Sequence, residues 1–338
     1  MTGARTEPAR AALLVVLCAA SCDEERLDPA PEPLPALGVV HGWPDVPEGE
    51  LLGQVSGVGI EDDGSVLVFR RGPKDWNGGP ISTDVIEEAT VLRFDADTGA
   101  LLGSFGGGAF AMPHGLTVDA GGHVWLTDVA LHQVFELDRH GRVLRSFGER
   151  GIPGVDELHF NMPTDVAVAA DGTFYVSDGY GNGRVLRFGA DGSLLGTWGQ
   201  IGVGPGQFVT PHGIAIGPDG DVYVADRGNG RVQAFSPDGA FLAEWKSEAL
   251  GRPWSIAFGP DGLAYVVDGG DQPTSGPDRA RVLIADEDGA VLSSFGSFGN
   301  QDGELNRPHD IAVSEDGSVY VVEVGQGKRA QKFSPRDQ

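Results

Sequence analysis

Residues 210–226 read TPHGIAIGPDGDVYVAD, and that frame recurs along the chain. It returns as MPHGLTVDAGGHVWLTD over 112–128, MPTDVAVAADGTFYVSD over 162–178, RPWSIAFGPDGLAYVVD over 252–268 and RPHDIAVSEDGSVYVVE over 307–323. A sixth, more divergent copy, QVSGVGIEDDGSVLVFRR, stands first over 54–71. The prolines that open five copies, Pro113, Pro163, Pro211, Pro253 and Pro308, lie 42 to 55 residues apart. Periods of that size belong to solenoids, propellers and arrays.

Each copy opens with an alternating apolar run such as Ile214 and Ile216, turns at a D-G pair such as Asp219-Gly220, and continues into a second strand over 222–225. A Gly/Asn turn after Asp226 leads to a third strand over 231–235, and a further turn to a fourth over 241–245. Short alternating strands with Gly-rich turns are antiparallel sheet. Four strands per copy and six copies predict an all-β fold, a six-bladed β-propeller, whose radial closure leaves only short edges. No segment beyond the first 22 residues has helical periodicity. The last copy is one strand short, so residues 38–41 are expected to add the missing outer strand and close the ring.

Aligned, the copies carry Ser56, His114, Thr164, His212, Trp254 and His309 in one column. Histidine thus occurs in every second copy, and in a closed ring alternate copies lie about a third of a turn apart. Three imidazoles would then converge on the axis. Neutral imidazole is the commonest metal ligand, and three histidines with an open fourth position form a catalytic zinc arrangement. His41, His123, His132, His140 and His159 fall at other repeat phases, so none is expected to bind metal. A second polar set follows the aspartate that ends each second strand (Asp128, Asp178, Asp226, Asp268; Glu323 in the last copy): Arg71 and Arg227 stand at equivalent turn positions, and Tyr180 one residue later. Arginine forks suit a carboxylate, and a phenol beside a metal can serve as a base. Repeat phase alone also allows either arginine to pair with a blade aspartate.

The formal net charge is -25, which argues against nucleic acid as a partner and favours solubility. Residues 1–22 have the form of a targeting segment: Arg5 and Arg10 precede a short apolar run over 11–20, too short to span a bilayer. The segment ends Ala19-Ala20-Ser21-Cys22, similar to a bacterial lipobox with lipid attached at Cys22. An ordinary secretory signal is the alternative. Residues 23–37 are acidic and Pro-rich and read as an extended tether. The organisation expected is a signal over 1–22, a tether over 23–37 and a propeller over 38–338. The protein would be exported by a bacterium and anchored in the envelope by lipid alone. Both cysteines, Cys18 and Cys22, lie in the signal region, so the propeller has no disulfides.

The stretch MPHGLTVDAGGHVWLTDVALHQVFELD over 112–138 resembles the lyase domain of peptidylglycine α-amidating enzymes. So do PTDVAV over 163–168, VSDGYGNGR over 176–184, VADRGNGRVQAF over 224–235 and RPHDIAVSEDGSVY over 307–320. The similarity runs from about residue 40 to 335, and the repeats are of the broader NHL type. The resemblance to peptidyl-α-hydroxyglycine α-amidating lyases implies a six-bladed propeller with catalytic zinc on His114, His212 and His309. It implies Tyr180 as base and Arg71 and Arg227 as active-site arginines. It further implies a structural calcium held by Asp310 and by the backbone carbonyls of Val58 and Leu116. The implied reaction cleaves a peptidyl-α-hydroxyglycine to an amide and glyoxylate, in a monomer. Asn161, Gly181, Tyr223 and Ala234 stand where animal members carry disulfide cysteines, and the copper monooxygenase that supplies the hydroxyglycine is not in this chain. Another α-hydroxy amide, ureidoglycolate-like compounds included, therefore stays open as substrate. The alternatives are a non-catalytic NHL propeller acting as an envelope protein- or glycan-binding scaffold, and a calcium-dependent lactone or ester hydrolase on the same fold.

Overall fold

The computed structural model describes residues 1–3, 34–270 and 279–336. Its contacts divide the chain into Met1–Leu34 and Pro35–Gln338. All but the first three residues of the targeting segment, Cys18 and Cys22 among them, and most of the tether lie outside the described residues.

The second unit is built of six four-stranded antiparallel sheets, each a blade of the propeller. Their innermost strands are Val55–Ile60, Pro113–Val118, Asp165–Val168, Pro211–Ile216, Pro253–Phe258 and Pro308–Val313. Each touches the next around the axis, and the last touches the first. Burial grades outward along each blade, and the sequence shows why. The second strands, such as Val222–Asp226 and Phe174–Asp178, are buried throughout because neighbouring blades cover both faces, so they read as continuous apolar runs. The outermost strands, such as Leu101–Phe105 and Leu194–Trp198, have one face in water and keep the period-2 alternation. Among the described residues the only helical element is one 3-10 turn, Arg227–Asn229.

Five of the six second strands end in a buried acid that acts as a structural anchor, and the second strand of blade 1 ends in Arg70. Asp128 accepts four backbone N–H groups, from Ala111, Met112, Ala130 and Leu131, at 2.6–2.9 Å. Asp226 accepts the Arg231 Nε–H at 2.9 Å, and Glu323 accepts that of Arg329 at 2.6 Å. These contacts hold the turn after the second strand against the entry of the first. That turn carries Tyr180 and Arg227, so the anchors help to set the geometry of the mouth; in blade 1 the Arg71 N–H donates instead to the Gln54 carbonyl at 2.8 Å.

The ring closes as expected. Leu37–Val39 forms the outer strand of the last blade, with Leu37, Gly38 and Val39 opposite Pro335, Ser334 and Phe333. The chain then enters the first blade, where the buried Trp43 ring lies 4.9 Å from Tyr320 and 6.3 Å from Phe94. The Trp43 indole N–H donates to the Asp95 carbonyl at 3.1 Å. One segment thus joins the last blade to the first. Deleting residues 36–45 is expected to lower the melting temperature sharply, and Trp43→Ala alone to remove about 3–5 kcal/mol of stability. Thermal unfolding by circular dichroism checks both; an unchanged melting temperature would remove the latch from the account.

Candidate metal centre

His114, His212 and His309 are each the second residue of an inner strand, and the alternation of blades brings them together. Their ring centroids form a near-equilateral triangle with sides of 4.6–4.8 Å, and each histidine is at most 3 % exposed. Each Nδ1 lies 2.7 Å from a backbone carbonyl: Thr164 for His114, Trp254 for His212 and Ser56 for His309. A carbonyl only accepts, so each Nδ1 carries the proton and each Nε2 presents a lone pair. The acceptors are the residues that occupy the same repeat column in the following blade. Blades without histidine therefore orient the histidines of the blades before them. Burial, with the charges of Arg71 and the neighbouring rings, holds all three imidazoles well below their usual pKa, so they stay neutral. Three converging neutral Nε2 atoms fit a divalent zinc-class ion.

The turn residues meet over this cage. The Tyr180 hydroxyl lies 3.2 Å from His114 Nε2 and 3.1 Å from His212 Nε2. Arg227 Nη1 donates to the same oxygen at 3.2 Å. The Arg227 guanidinium sits 3.6 Å above the Trp254 ring. Arg71 is buried and held from two sides: Nε donates to the Pro113 carbonyl at 3.0 Å and Nη1 to Gln54 Oε1 at 2.6 Å. Its Nη2 is buried without a hydrogen-bond partner, and burial pushes its pKa down to about 10. The Trp76 ring stands edge-on to Tyr180 at 5.1 Å, with the Arg71 guanidinium 5.4 Å from it.

Below the cage the channel turns acidic. Asp310 accepts the Val58 N–H at 3.0 Å and the Ser255 hydroxyl at 2.7 Å. Val58, Leu116 and Asp310 line one axial cavity of about 340 Å³, together with Asp165. Asp165 belongs to the blade opposite and accepts the Val166 and Ile214 N–H groups at 2.9 and 3.1 Å. Burial, and then the Asp310 charge, holds its carboxyl well above the usual range. Burial pushes Asp310 up to about 6. Two buried carboxylates that oppose each other across a channel fit a hard cation. A gap of about 10 Å³ links the two levels.

Sequence reasoning singled out the histidines, Tyr180, both arginines and Asp310, and the structure brings the first six of these together at one mouth. It missed Asp165, although the column after the histidines reads Gly57, Gly115, Asp165, Gly213, Ser255, Asp310 and marks two acids on opposite blades. It also missed Gln54, Trp76 and the role of the Trp254 ring. Trp76 lies in the long connection between the second and third strands of blade 1, where repeat phase carries no signal. At Asn161 and Gly181 the expected loss of cysteines is visible: Gly181 donates its N–H to the Asn161 carbonyl at 2.9 Å, and a Cβ there would meet the Asn161 side chain. Tyr223 and Ala234 are likewise register partners.

The NHL repeat family matches residues 110–137, 160–188 and 208–235. Rattus norvegicus peptidylglycine alpha-amidating monooxygenase is 38% identical over 300 residues, 82% of this chain and 30% of that protein. The chain thus spans less than a third of that relative's length. Peptidyl-alpha-hydroxyglycine alpha-amidating lyase 2 of Drosophila melanogaster is 34% identical over 334 residues, 92% of this chain and 78% of that protein. A Xanthomonas campestris gluconolactonase shares the fold alone, with a TM-score of 0.60 and 16% identity over 92% of this chain and 99% of that one. With identity at this level across nearly the whole propeller, the chain belongs to the peptidyl-α-hydroxyglycine α-amidating lyase family.

Proposed function

We propose that the protein is a carbon–nitrogen lyase that cleaves a peptidyl-α-hydroxyglycine, or a related α-hydroxy amide, to an amide and glyoxylate. The observation that carries this reading is the meeting of three groups at one mouth: the Tyr180 hydroxyl, the neutral histidine cage, and the buried Arg71 Nη2 that lacks a partner. A scaffold has no use for a buried guanidinium N–H with nothing to bind. An α-hydroxyglycine supplies the missing acceptor as its carboxylate.

His114, His212 and His309 would hold zinc, which when bound supplies a Lewis acid that makes an oxygen ligand more acidic. Arg71 binds and orients the substrate carboxylate through Nη2, in a site from which water is largely excluded. Tyr180, reacting as phenolate, accepts the hydroxyl proton, and Arg227 stabilises the negative charge on its oxygen. As that proton leaves, the hydroxyl-bearing carbon forms the glyoxylate carbonyl and its bond to nitrogen breaks. The nitrogen takes a proton and departs as the amide, so one proton moves from oxygen to nitrogen overall. Trp254 holds Arg227 in place beneath its guanidinium plane.

Asp310 and Asp165, with the carbonyls of Val58 and Leu116, would hold a structural calcium. We further propose an exported, monomeric protein tethered to a bacterial envelope through lipid on Cys22. Among the described residues no helix is long and apolar enough to cross a membrane.

The test is glyoxylate release from an N-acyl-α-hydroxyglycine. Release by the parent, its loss in His212→Ala and a drop of about 10²–10⁴-fold in Tyr180→Phe at unchanged metal content are expected. Tyr180→Phe with parental turnover would remove the base assignment, and no release from a zinc-loaded parent would reject this substrate class. For the lower site, Asp165→Asn should lose the rise in melting temperature that added calcium gives the parent. Equal responses of parent and variant to calcium would exclude a cation there.

A further inference from the structure

Blade 2 differs from its five siblings at the turn between its first two strands. The siblings place the turn acid at Asp63, Asp171, Asp219, Asp261 and Asp316. Blade 2 has Gly121 at that position, carries its acid two residues earlier as Asp119, and adds His123 before the second strand. The change leaves Asp119 and His123 beside Glu136, which lies between Trp125 and Arg145 in the blade register. This turn joins the far end of the inner strand to the second strand, so it lies on the face opposite the histidine cage.

The three side chains converge on a single point. His123 Nδ1 is 3.3 Å from an Asp119 oxygen and 3.2 Å from a Glu136 oxygen. The three ligand atoms lie within 4.8 Å of one another. An imidazole Nδ1 carries at most one hydrogen, which cannot serve two carboxylates well. A cation serves all three. With zinc–ligand bonds of about 2.0–2.2 Å, adjacent vertices of a tetrahedron stand about 3.4 Å apart, close to both nitrogen–oxygen separations.

The surroundings hold the ligands in this arrangement. Asp119 Oδ1 accepts the Gly121 and His123 N–H groups at 2.8 and 2.9 Å, and Oδ2 accepts the Trp125 indole N–H at 2.9 Å. Glu136 gives its other oxygen to Arg145 Nε, leaving the oxygen that faces His123 uncommitted. Partners of this kind orient ligands and are a regular part of metal sites. The Arg145 charge offsets one of the two carboxylates, which leaves a net negative site for a divalent ion. The Glu136 and Asp119 side chains are 5 % and 11 % exposed, and His123 is 41 % exposed. The pocket is therefore walled on the protein side and open to water on the other, with room for a solvent ligand.

The geometry points to a further divalent cation site, of zinc class, on Asp119, His123 and Glu136, apart from the histidine cage and the lower carboxylates. Repeat phase hid it, because its ligands come from one blade and not from a column across blades. It stands independently of the lyase reading.

The experiment is zinc titration of the untagged, chelator-stripped protein, followed by isothermal calorimetry, with circular dichroism to confirm folding of each variant. The parent should bind one equivalent of Zn²⁺ more than His123→Ala or Glu136→Gln, whatever the number of its other sites. Two different substitutions guard against loss of the site through a local folding defect. Variants that take up as many equivalents as the parent would overturn the site.

Discussion

The hydrogen bond from each ligand histidine to the next blade is the contact on which the centre depends. An imidazole on a strand can rotate, and its lone pair can sit on either nitrogen. Here Ser56, Thr164 and Trp254 each offer a carbonyl 2.7 Å from a histidine Nδ1, and that contact settles both rotation and tautomer. This contact places no demand on the side chain in the intervening blades, because it uses only the backbone oxygen. Serine, threonine and tryptophan in one column look unrelated as side chains and are equivalent as acceptors. The closure of the ring matters for the same reason: His309 reaches across the seam to Ser56, so the latch strand supports the histidine cage as well as the fold.

The mouth and the channel beneath it carry opposite electrostatics, separated by one residue along the inner strands. Above the histidines stand two guanidiniums, each beside an indole: Arg71 near Trp76 and Arg227 on Trp254. Below them stand two carboxylates whose protonation is favoured by burial. Arg71 next to neutral imidazoles and Asp310 next to His309 each sit in surroundings that disfavour their charge. Both strains are relieved by a ligand of opposite sign, an anion above and a cation below. A chain of net charge -25 thus gathers two guanidiniums, Arg71 and Arg227, at one opening.

The repeat made the fold and half the site readable. Period, turn chemistry and alternation specify blades directly, because neighbouring copies share a backbone and differ in few positions. The histidine column was readable for the same reason, and so was the turn phase of Arg71, Tyr180 and Arg227. Asp165 was readable and overlooked: it stands in plain register with Asp310. Trp76 and Gln54 were not, since they act through a connection that no other blade shares. The Asp119–His123–Glu136 cluster escaped because it joins a turn to a third strand within one blade, a contact that depends on register. The carbonyl acceptors left no trace at all, since any residue supplies one.

The tautomer of the three histidines is the most direct test of this account. A solvent-exposed neutral histidine side chain favours the proton on Nε2, whereas the arrangement here requires it on Nδ1. Long-range proton–nitrogen correlation spectra of the metal-free, ¹⁵N-labelled protein report which nitrogen is protonated. The account predicts three histidines protonated at Nδ1, lost one at a time in His114→Ala, His212→Ala and His309→Ala, with zinc shifting their Nε2 resonances. Protonation at Nε2, or zinc shifts at Nδ1 of these residues, would contradict it.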